Sequence, residues 1–512
     1  MSIPTLKGHQ TEILYVADNQ SMVITGSAGC GKSLLAIYRI YWLSKVYPND
    51  KIVLLTFNRA VNQDMYLKIK NIANNRNEQI PDNLIIDTYN GFMKEILKKI
   101  CDNFKNEELQ LDKYRKNHNE VKSYNIFKNK VKQVKSAVDE ISENYPNEST
   151  FNRPYQTFID EISWMQQMSV TSLENYERIE RIGRRSTRIE RNKRKYFYEV
   201  YEQYKKIREN EDRYYDYEDI GTIIRKLFYK IKDQNKKEQL LSFKYILIDE
   251  FQDFTSDMLM TVNELSDPNG AMVLLGDINQ GVFGKRISFK SLGINMKNYK
   301  KYQLIHNYRN SRPISEFAEK IALSPYFDKN NEFYTEGKLG IRKGQDPQII
   351  RYRDEREEMK KVYQYIIAVR ENRKEEKVGV ILPSHKYYEF KKFMEENGLS
   401  YKEFNLYSDT NKIQFGTYKQ IKGLEFDTVI MPFLSENNLK KCIEIDNNEI
   451  DLKDDNFDLS NLDFEMLEKI IAQYYVGVTR AREKLIILYS GKLTSLLSSL
   501  PLNKYICRGE DT

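Results

Sequence analysis

Short apolar runs, each followed by a longer stretch with apolar residues three and four apart, organise the first part of the chain. Met22-Val23-Ile24 precedes a periodic run from Leu34 to Leu43. Lys51-Ile52-Val53-Leu54-Leu55-Thr56-Phe57 leads into Asn58-Arg59-Ala60, and Leu84-Ile85-Ile86-Asp87-Thr88 leads into Tyr89-Asn90-Gly91-Phe92. A continuous apolar run reads as a strand buried on both faces, and the longer period reads as a helix. Their alternation predicts βα units in a doubly wound parallel sheet. From about Lys94 to Leu241 the strand signals vanish. That segment is charged, rich in Tyr and Lys, and helical in period, so it reads as a helical insertion. The sheet pattern resumes at Tyr245-Ile246-Leu247-Ile248-Asp249 and again from Ala271 to Leu275.

A second α/β unit follows. It opens with Tyr302-Gln303-Leu304 ahead of Asn307-Tyr308-Arg309; strands are expected at Ile349-Ile350, Val378 to Leu382, Thr428 to Met431 and Leu485 to Leu488, and Ile413-Gln414-Phe415 leads to Gly416-Thr417. An acidic, Asn-rich stretch from about Ser435 to Leu462 reads as a solvated or mobile loop. The pattern divides the chain into a first core (1–93 and 242–298) interrupted by the insertion (94–241), a second core (299–500) and a tail (501–512).

Length agrees with this division, because 512 residues are too many for one core. A net charge of +7 permits a nucleic-acid partner but does not demand one. Local clusters say more. Arg181, Arg184, Arg185, Arg188, Arg191, Lys193, Arg194 and Lys195 form a basic run in the insertion. Such a run is usually a solvated helix face; the functional reading is a track for backbone phosphates. Cys30, Cys101, Cys442 and Cys507 have neither metal nor redox spacing, and the four histidines are scattered. Reduced thiols in a cytoplasmic protein are the plain reading. No leader-like apolar core and no membrane span are visible.

The chemistry begins where the first apolar run ends. Gly26-Ser27-Ala28-Gly29-Cys30-Gly31-Lys32-Ser33 has the form G-x-x-x-x-G-K-S between a strand and a helix. Glycines let backbone N–H groups converge on one anion, and the helix N-terminus adds partial positive charge. Lys32 is then placed for the β- and γ-phosphates of a nucleoside triphosphate and Ser33 for Mg²⁺. The strand ending in Asp249-Glu250 supplies the other half of such a site. Asp249 completes the metal shell and Glu250 activates water. Gln280, beyond the next strand, is placed for the γ-phosphate or the attacking water. The second unit has no phosphate loop of its own, but it offers Arg309 and Arg480 as arginines donated across a cleft.

Taken in order, these motifs resemble the UvrD/Rep-like superfamily 1 helicases over nearly the whole chain outside the insertion and the acidic stretch. Gly26 to Ser33 and Asp249-Glu250-Phe251-Gln252-Asp253 match the two nucleotide motifs. Gly276-Asp277 with Gln280, Asn307-Tyr308-Arg309, Lys422-Gly423-Leu424-Glu425-Phe426 and Val478-Thr479-Arg480-Ala481-Arg482 match the later ones. The resemblance implies two RecA-like domains in tandem, with ATP and Mg²⁺ as cofactors. It implies that Gln10 reads adenine, that Tyr308 stacks on it, and that Glu425 belongs to the nucleotide site. It also places DNA contacts at Thr56, Phe57, Asn58 and Arg59, at Thr88, Tyr89 and Asn90, at Lys285 and Arg286, and at Thr417 and Lys419. Tyr215 to Asp219 resembles the family's acidic segment ahead of the D-E-x-Q-D strand.

The departures are informative. Arg309 and Lys422 stand only 113 positions apart, an interval that in processive members holds a large extra subdomain. Lys285 takes the place of a base-stacking tryptophan, a contact type worth roughly 1–3 kcal/mol per base. Lys419-Gln420 replaces a histidine-serine pair. The expected function is an ATP-driven motor on single-stranded or tailed duplex DNA, moving 3′ to 5′. The alternative is an ATP- and DNA-dependent switch that licenses a partner nuclease or ATPase without processive unwinding. An RNA-directed motor or a protein-only NTPase is a weaker reading, and the sequence does not give the oligomeric state.

Overall fold

The structure is a computed structural model. It describes all residues except 1–4, 27–28, 106–108, 117–122, 182–188, 277–297, 323, 327–338, 341, 374, 401–411, 422, 447–463 and 508–512. Two six-stranded sheets, parallel throughout, carry the fold.

The first sheet contains β1 (Met22–Gly26), β2 (Ile52–Thr56), β3 (Leu84–Thr88), β4 (Phe243–Asp249), β5 (Ser266–Gly276) and β6 (Lys300–Leu304), in the order β3-β2-β4-β5-β1-β6. Its central strands are apolar because helices cover both faces. On one face α2 (Lys32–Val46) and α3 (Arg59–Asn75) close over Ile24, Leu54, Leu247 and Val273; a short helix α1 (His9–Leu14) packs beside α2. On the other, α4 (Tyr89–Asn103) and the helices Ile220–Lys230 and Ser256–Glu264 cover Val53, Ile246 and Leu274.

The insertion is helical, as its period predicts. It is not uniform. Helices Ser123–Ser142, Tyr155–Gln167 and Arg194–Asn210 enclose a core of their own around Phe158, Ile162, Phe197 and Tyr204. The part beyond Tyr215 packs on the first sheet instead. Buried charges join the two parts: Arg208 and Arg213 pair with Asp216 at 3.0 and 2.9 Å, and Arg208 also pairs with Asp219 at 2.9 Å. The acidic segment ahead of β4 is therefore a buried anchor for arginines.

The second sheet contains β7 (Gln348–Tyr352), β8 (Val378–Leu382), β9 (Ile413–Thr417), β10 (Phe426–Met431), β11 (Ala481–Ser490) and β12 (Ile506–Cys507), in the order β12-β7-β11-β10-β8-β9. Helices Arg312–Ala322 and Phe464–Thr479 cover one face, and Glu355–Asn372 and Tyr387–Glu396 the other.

Three expectations change. The strand at Tyr302-Gln303-Leu304, assigned above to the second unit, runs parallel to β1 in the first sheet, with Met22 opposite Lys300 and Gly26 opposite Leu304. Its exposed, charged residues suit a sheet edge, and an edge strand carries no apolar signature of which sheet it joins. The segment set aside as a tail includes β12, whose Ile506 and Cys507 pair with Ile349 and Ile350, and Tyr505 beside it is buried. The stretch read as an acidic loop begins with a helix, Glu436–Asp446, seated on the core by Leu439 and Ile443. That pair, four apart, is a helical stripe too short to stand out among its charged neighbours. None of the described helices is long and apolar enough to cross a membrane.

Candidate active site

The phosphate loop leaves the carboxyl end of β1 and turns into α2. Gly29 and Gly31 have positive φ of 81° and 85°, which only glycine adopts without strain. Gly31 also lies under the side chain of Gln10, where a Cβ would strike the amide. Gln10 Nε2 donates to the Cys30 carbonyl at 2.7 Å, and Gln10 Oε1 accepts from the Lys7 N–H at 2.9 Å. Lys32 Nζ, buried, donates to the Gly26 carbonyl at 2.6 Å and lies 3.8 Å from Cys30 Sγ. Cys30 itself is buried. Ser27 and Ala28 lie outside the described residues.

The acidic half of the site arrives on β4, two strands from β1. Ser33 Oγ donates to Asp249 Oδ2 at 2.7 Å. Asp249 is fully buried, and its Oδ1 has no hydrogen-bond partner. Burial first, and then the neighbouring charge of Glu250, push the Asp249 carboxyl well above its ordinary range. A buried, unpartnered carboxylate oxygen beside a serine hydroxyl fits a hard divalent cation such as Mg²⁺. Glu250 takes the left-handed backbone conformation, φ 53°, and receives a hydrogen bond from Gln252. A non-glycine residue in that region costs of order 1 kcal/mol or more, a strain that concentrates at functional sites. Asp277 and Gln280 lie outside the described residues.

The segment that crosses from β6 into the second core meets the loop directly. The Tyr308 N–H donates to the Gly29 carbonyl at 3.0 Å, and a Cβ on Gly29 would run into Asn307 and Arg309. Asn307 organises its own segment: its Oδ1 accepts from the backbone N–H of Arg309 and of Asn310, each at 3.0 Å. The Tyr308 ring stands 5.9 Å from Lys7 Nζ, so Lys7, Gln10 and Tyr308 gather beside the loop. Arg309 Nη2 donates to Glu425 Oε1 at 2.6 Å. Burial opposes the charged form of Glu425, but Arg309, Lys68 and Arg482 outweigh it and hold the carboxyl down to about 2. Arg480 is buried, with Nε donating to the Val476 carbonyl at 3.1 Å and Nη1 to the Leu424 carbonyl at 3.4 Å. Thus Arg309 and Glu425 are brought together, while Arg480 is held one residue from Glu425 by backbone acceptors of its own core.

A model of the UvrD/REP helicase N-terminal domain matches residues 6–301, more than half of the chain, and one of the UvrD-like helicase C-terminal domain matches residues 383–492. The chain belongs to the UvrD/Rep helicase family. Individual relatives are distant. The ATP-dependent DNA helicase srs2 of Schizosaccharomyces pombe is 32% identical over 92 residues, 17% of this chain and 10% of that protein. The putative ATP-dependent DNA helicase YjcD of Bacillus subtilis is 30% identical over 116 residues, 22% of this chain and 15% of that one. The matches therefore span a small part of those relatives' length. A solved C-terminal domain of a possible DNA helicase from Lactobacillus plantarum WCFS1 aligns over 40% of this chain and 98% of its own, at 16% identity and a TM-score of 0.27.

The family's strand-contacting motifs separate into exposed and buried positions here. Asn58 caps α3, accepting from the Ala60 N–H at 2.8 Å, and its Nδ2 reaches across to the Gln420 carbonyl at 3.3 Å and the Lys419 carbonyl at 3.4 Å. Arg59 and Lys419 are exposed beside this contact. Gly423, φ 86°, lies so close to Val61 that no side chain fits. Thr56 is buried, and its hydroxyl donates to the Asn58 carbonyl at 3.3 Å. Phe57 is partly buried against Phe254. Thr88 caps α4 through the Gly91 N–H at 3.2 Å. Tyr89 points inward, fully buried against Phe254, so its side chain is a packing group and not a DNA contact. Asn90 beside it keeps a buried Oδ1 with no hydrogen-bond partner. Thr417 is closed into a turn by Gln420, whose Oε1 accepts from its N–H at 2.9 Å. Lys285 and Arg286 lie outside the described residues.

Of the described members of the basic run, Arg181, Lys193 and Arg194 are spent on structure, while Arg191 and Lys195 are exposed. Arg181 Nε donates to Glu161 at 2.8 Å, Lys193 pairs with Glu148 at 2.7 Å, and Arg194 donates to the Ile179 carbonyl at 2.9 Å. Arg184, Arg185 and Arg188 lie outside the described residues. Sequence reasoning missed Arg39. Its guanidinium, buried on α2, donates to the Leu14 carbonyl at 2.7 Å and the Val16 carbonyl at 3.2 Å, holding the end of the helix that carries Gln10. Its signal was present: one charge inside an otherwise apolar helix run.

Proposed function

We propose that this protein is an ATP-driven motor on single-stranded DNA. The observation that carries the reading is the seam at Gly29. The loop suited to phosphates is hydrogen-bonded through Tyr308 to the segment that crosses from β6 into the second core, and it is packed against Asn307 and Arg309. The same segment is tied to the second core by Arg309 on Glu425 and by Asn310 Nδ2, which donates to the Thr479 carbonyl, so it links the loop to that core. Ser33 and Asp249 are the residues that would hold Mg²⁺, which supplies charge neutralisation on the transferred phosphoryl group. Lys32, now on the Gly26 carbonyl, is within a side-chain rotation of the phosphates that the loop's N–H groups would cradle. Glu250 orients and deprotonates the attacking water. Arg309 exchanges Glu425 for the γ-phosphate. Glu425 is not stranded by that exchange, because Lys68 and Arg482 still face it.

On the opposite side of the seam, Asn58 and Arg59 of the first core and Lys419 of the second lie together. Strand contacts there shift as the cores move, which converts hydrolysis into stepping. The 3′ to 5′ direction is carried over from the family. ATP turnover measured with and without single-stranded DNA tests the reading. Lys32→Ala and Glu250→Gln are each expected to lower DNA-stimulated turnover at least about a hundredfold. Parental rates in either variant would refute the site.

One observation favours a second reading, an ATP- and DNA-dependent switch acting with a nuclease or ATPase partner. Every described element between Arg309 and Lys422 belongs to the second sheet or packs on it. Strand displacement on a 3′-tailed duplex separates the two readings: robust unwinding by this chain alone would exclude a pure switch.

A further inference from the structure

The carboxyl edge of the second sheet holds a chain of side chains that the nucleotide site does not use. His385 follows β8, and Asn438 and Cys442 stand on the helix Glu436–Asp446, which follows β10, the neighbour of β8 in the sheet. Cys442 Sγ lies 3.6 Å from His385 Nδ1. His385 Nε2 lies 3.0 Å from Asn438 Oδ1. Nucleophile, base and orienting amide therefore stand in sequence, each within hydrogen-bond reach of the next.

The far end of the chain fixes the protons. Asn438 Nδ2 donates to Glu355 Oε1 at 2.9 Å and to Ser435 Oγ at 3.0 Å. Lys386 donates to the other oxygen of Glu355 at 2.6 Å and helps keep that carboxylate ionised, against its burial. An ionised carboxylate only accepts, so the amide NH₂ must face Glu355 and the amide oxygen must face the histidine. His385 Nε2 must then carry the proton. In a neutral imidazole the other nitrogen, Nδ1, is bare, and it faces the thiol. Burial foremost presses His385 below its ordinary pKa, against the Asn438 hydrogen bond and Glu355 and with Lys386 and Lys441 adding to it, which favours the neutral ring near pH 7.

We propose that Cys442 is a base-assisted thiol, modified by low-molecular-weight disulfides, with His385 as its base and Asn438 as the residue that fixes the base's tautomer. The Sγ–H proton passes to His385 Nδ1, a transfer that leaves the pair's net charge unchanged. The thiolate attacks one sulfur of the disulfide. A new S–S bond forms to Cys442 as the old one breaks, and the departing thiolate takes up a proton. Cys442 is oxidised and one half of the reagent is reduced. Access agrees with this assignment. Cys30 and Cys101 are buried, whereas Cys442 and Cys507 are both part-exposed. Cys507 directs its Sγ at the Tyr505 carbonyl, 3.7 Å away, and so serves as the internal reference.

The test treats the full chain with hydroxyethyl disulfide at pH 7 and follows each cysteine by peptide mass spectrometry. Cys442 is expected to form its mixed disulfide at least about fivefold faster than Cys507. His385→Gln is expected to bring Cys442 down to the Cys507 rate while the Cys507 rate and the melting temperature stay put. Equal rates at the two cysteines in the unaltered chain, a comparison that needs no variant, would overturn the proposal. So would an undiminished Cys442 rate in a folded His385→Gln chain.

Discussion

The two sheets have the same number of strands, all parallel, yet they are used from opposite ends. In the first sheet the chemistry sits past the carboxyl ends: the phosphate loop after β1, Asn58 after β2, the Thr88 cap at the end of β3, and Asp249 and Glu250 at the end of β4. Helices begin there, so backbone N–H groups and positive dipole ends face outward, which suits a phosphate. In the second sheet the charged residues nearest the phosphate loop lie ahead of their strands, whereas Lys419 and Gln420, which meet Asn58, follow β9. Glu425 precedes β10 and Arg480 precedes β11. That end has no helix dipole to offer an anion, and it supplies side-chain cations instead. One architecture thus offers a cradle from one edge and charged levers from the other, the arrangement that the proposed motor would use by closing the seam. Cys442, His385 and Asn438 gather past the carboxyl ends of β8 and β10.

Loss of a charged lever is expected to matter most. Arg309→Ala deletes the partner of Glu425 while keeping the Cβ that lies against Gly29. It is expected to lower kcat for ATP at least about a hundredfold, with a smaller change in KM, because an arginine donated to the transferring phosphate acts chiefly in the transition state. Steady-state kinetics at saturating single-stranded DNA give the split. An unchanged kcat would reduce the second core to a passive partner.

Glu358 stands at the second sheet's carboxyl side. It is buried, its Oε2 accepts from the Phe433 N–H at 2.8 Å, and burial raises its carboxyl to about 7. The folded chain binds this proton more tightly than the unfolded chain. Its contribution to stability is thus complete below the ordinary glutamate pKa and is lost as pH rises through about 7. Glu358→Gln keeps the acceptor and removes the titration. The variant is expected to gain on the parent at pH 8 by up to about 3 kcal/mol and to show a flatter pH profile in chemical denaturation. Parallel pH profiles for the two chains would contradict the burial argument.

The smallest expected effect concerns the first sheet. Tyr89→Phe retains the ring against Phe254 and removes a buried hydroxyl that has no hydrogen-bond partner. Stability is expected to change by less than about 1 kcal/mol, and affinity for single-stranded DNA, measured by fluorescence anisotropy, to stay within about twofold. A large loss of affinity would return Tyr89 to the strand path.

Most strands of both cores and the motif order were legible in the sequence. A buried parallel strand must be apolar on both faces, and a phosphate loop must have glycine where φ is positive. Those demands are local, so Leu84 to Thr88, Val378 to Leu382 and Gly26 to Ser33 could be read directly. Membership of β6 and β12 could not, since an edge strand of either sheet meets similar demands. Nor could the direction of a side chain: Thr88 and Tyr89 are neighbours, yet one caps a helix and the other fills the core. The charges of the insertion show the same limit. Arg181 and Arg194 look like a surface track in one dimension, but Glu161 and the carbonyls of the helix Leu173–Arg178 and its end lie within reach only after folding. Tertiary structure alone decided that Tyr308 meets Gly29, that Glu425 holds Arg309, and that His385 reaches Cys442. Each pair is dozens to hundreds of residues apart, and distance along the chain carries no information about contact across a sheet edge or a seam.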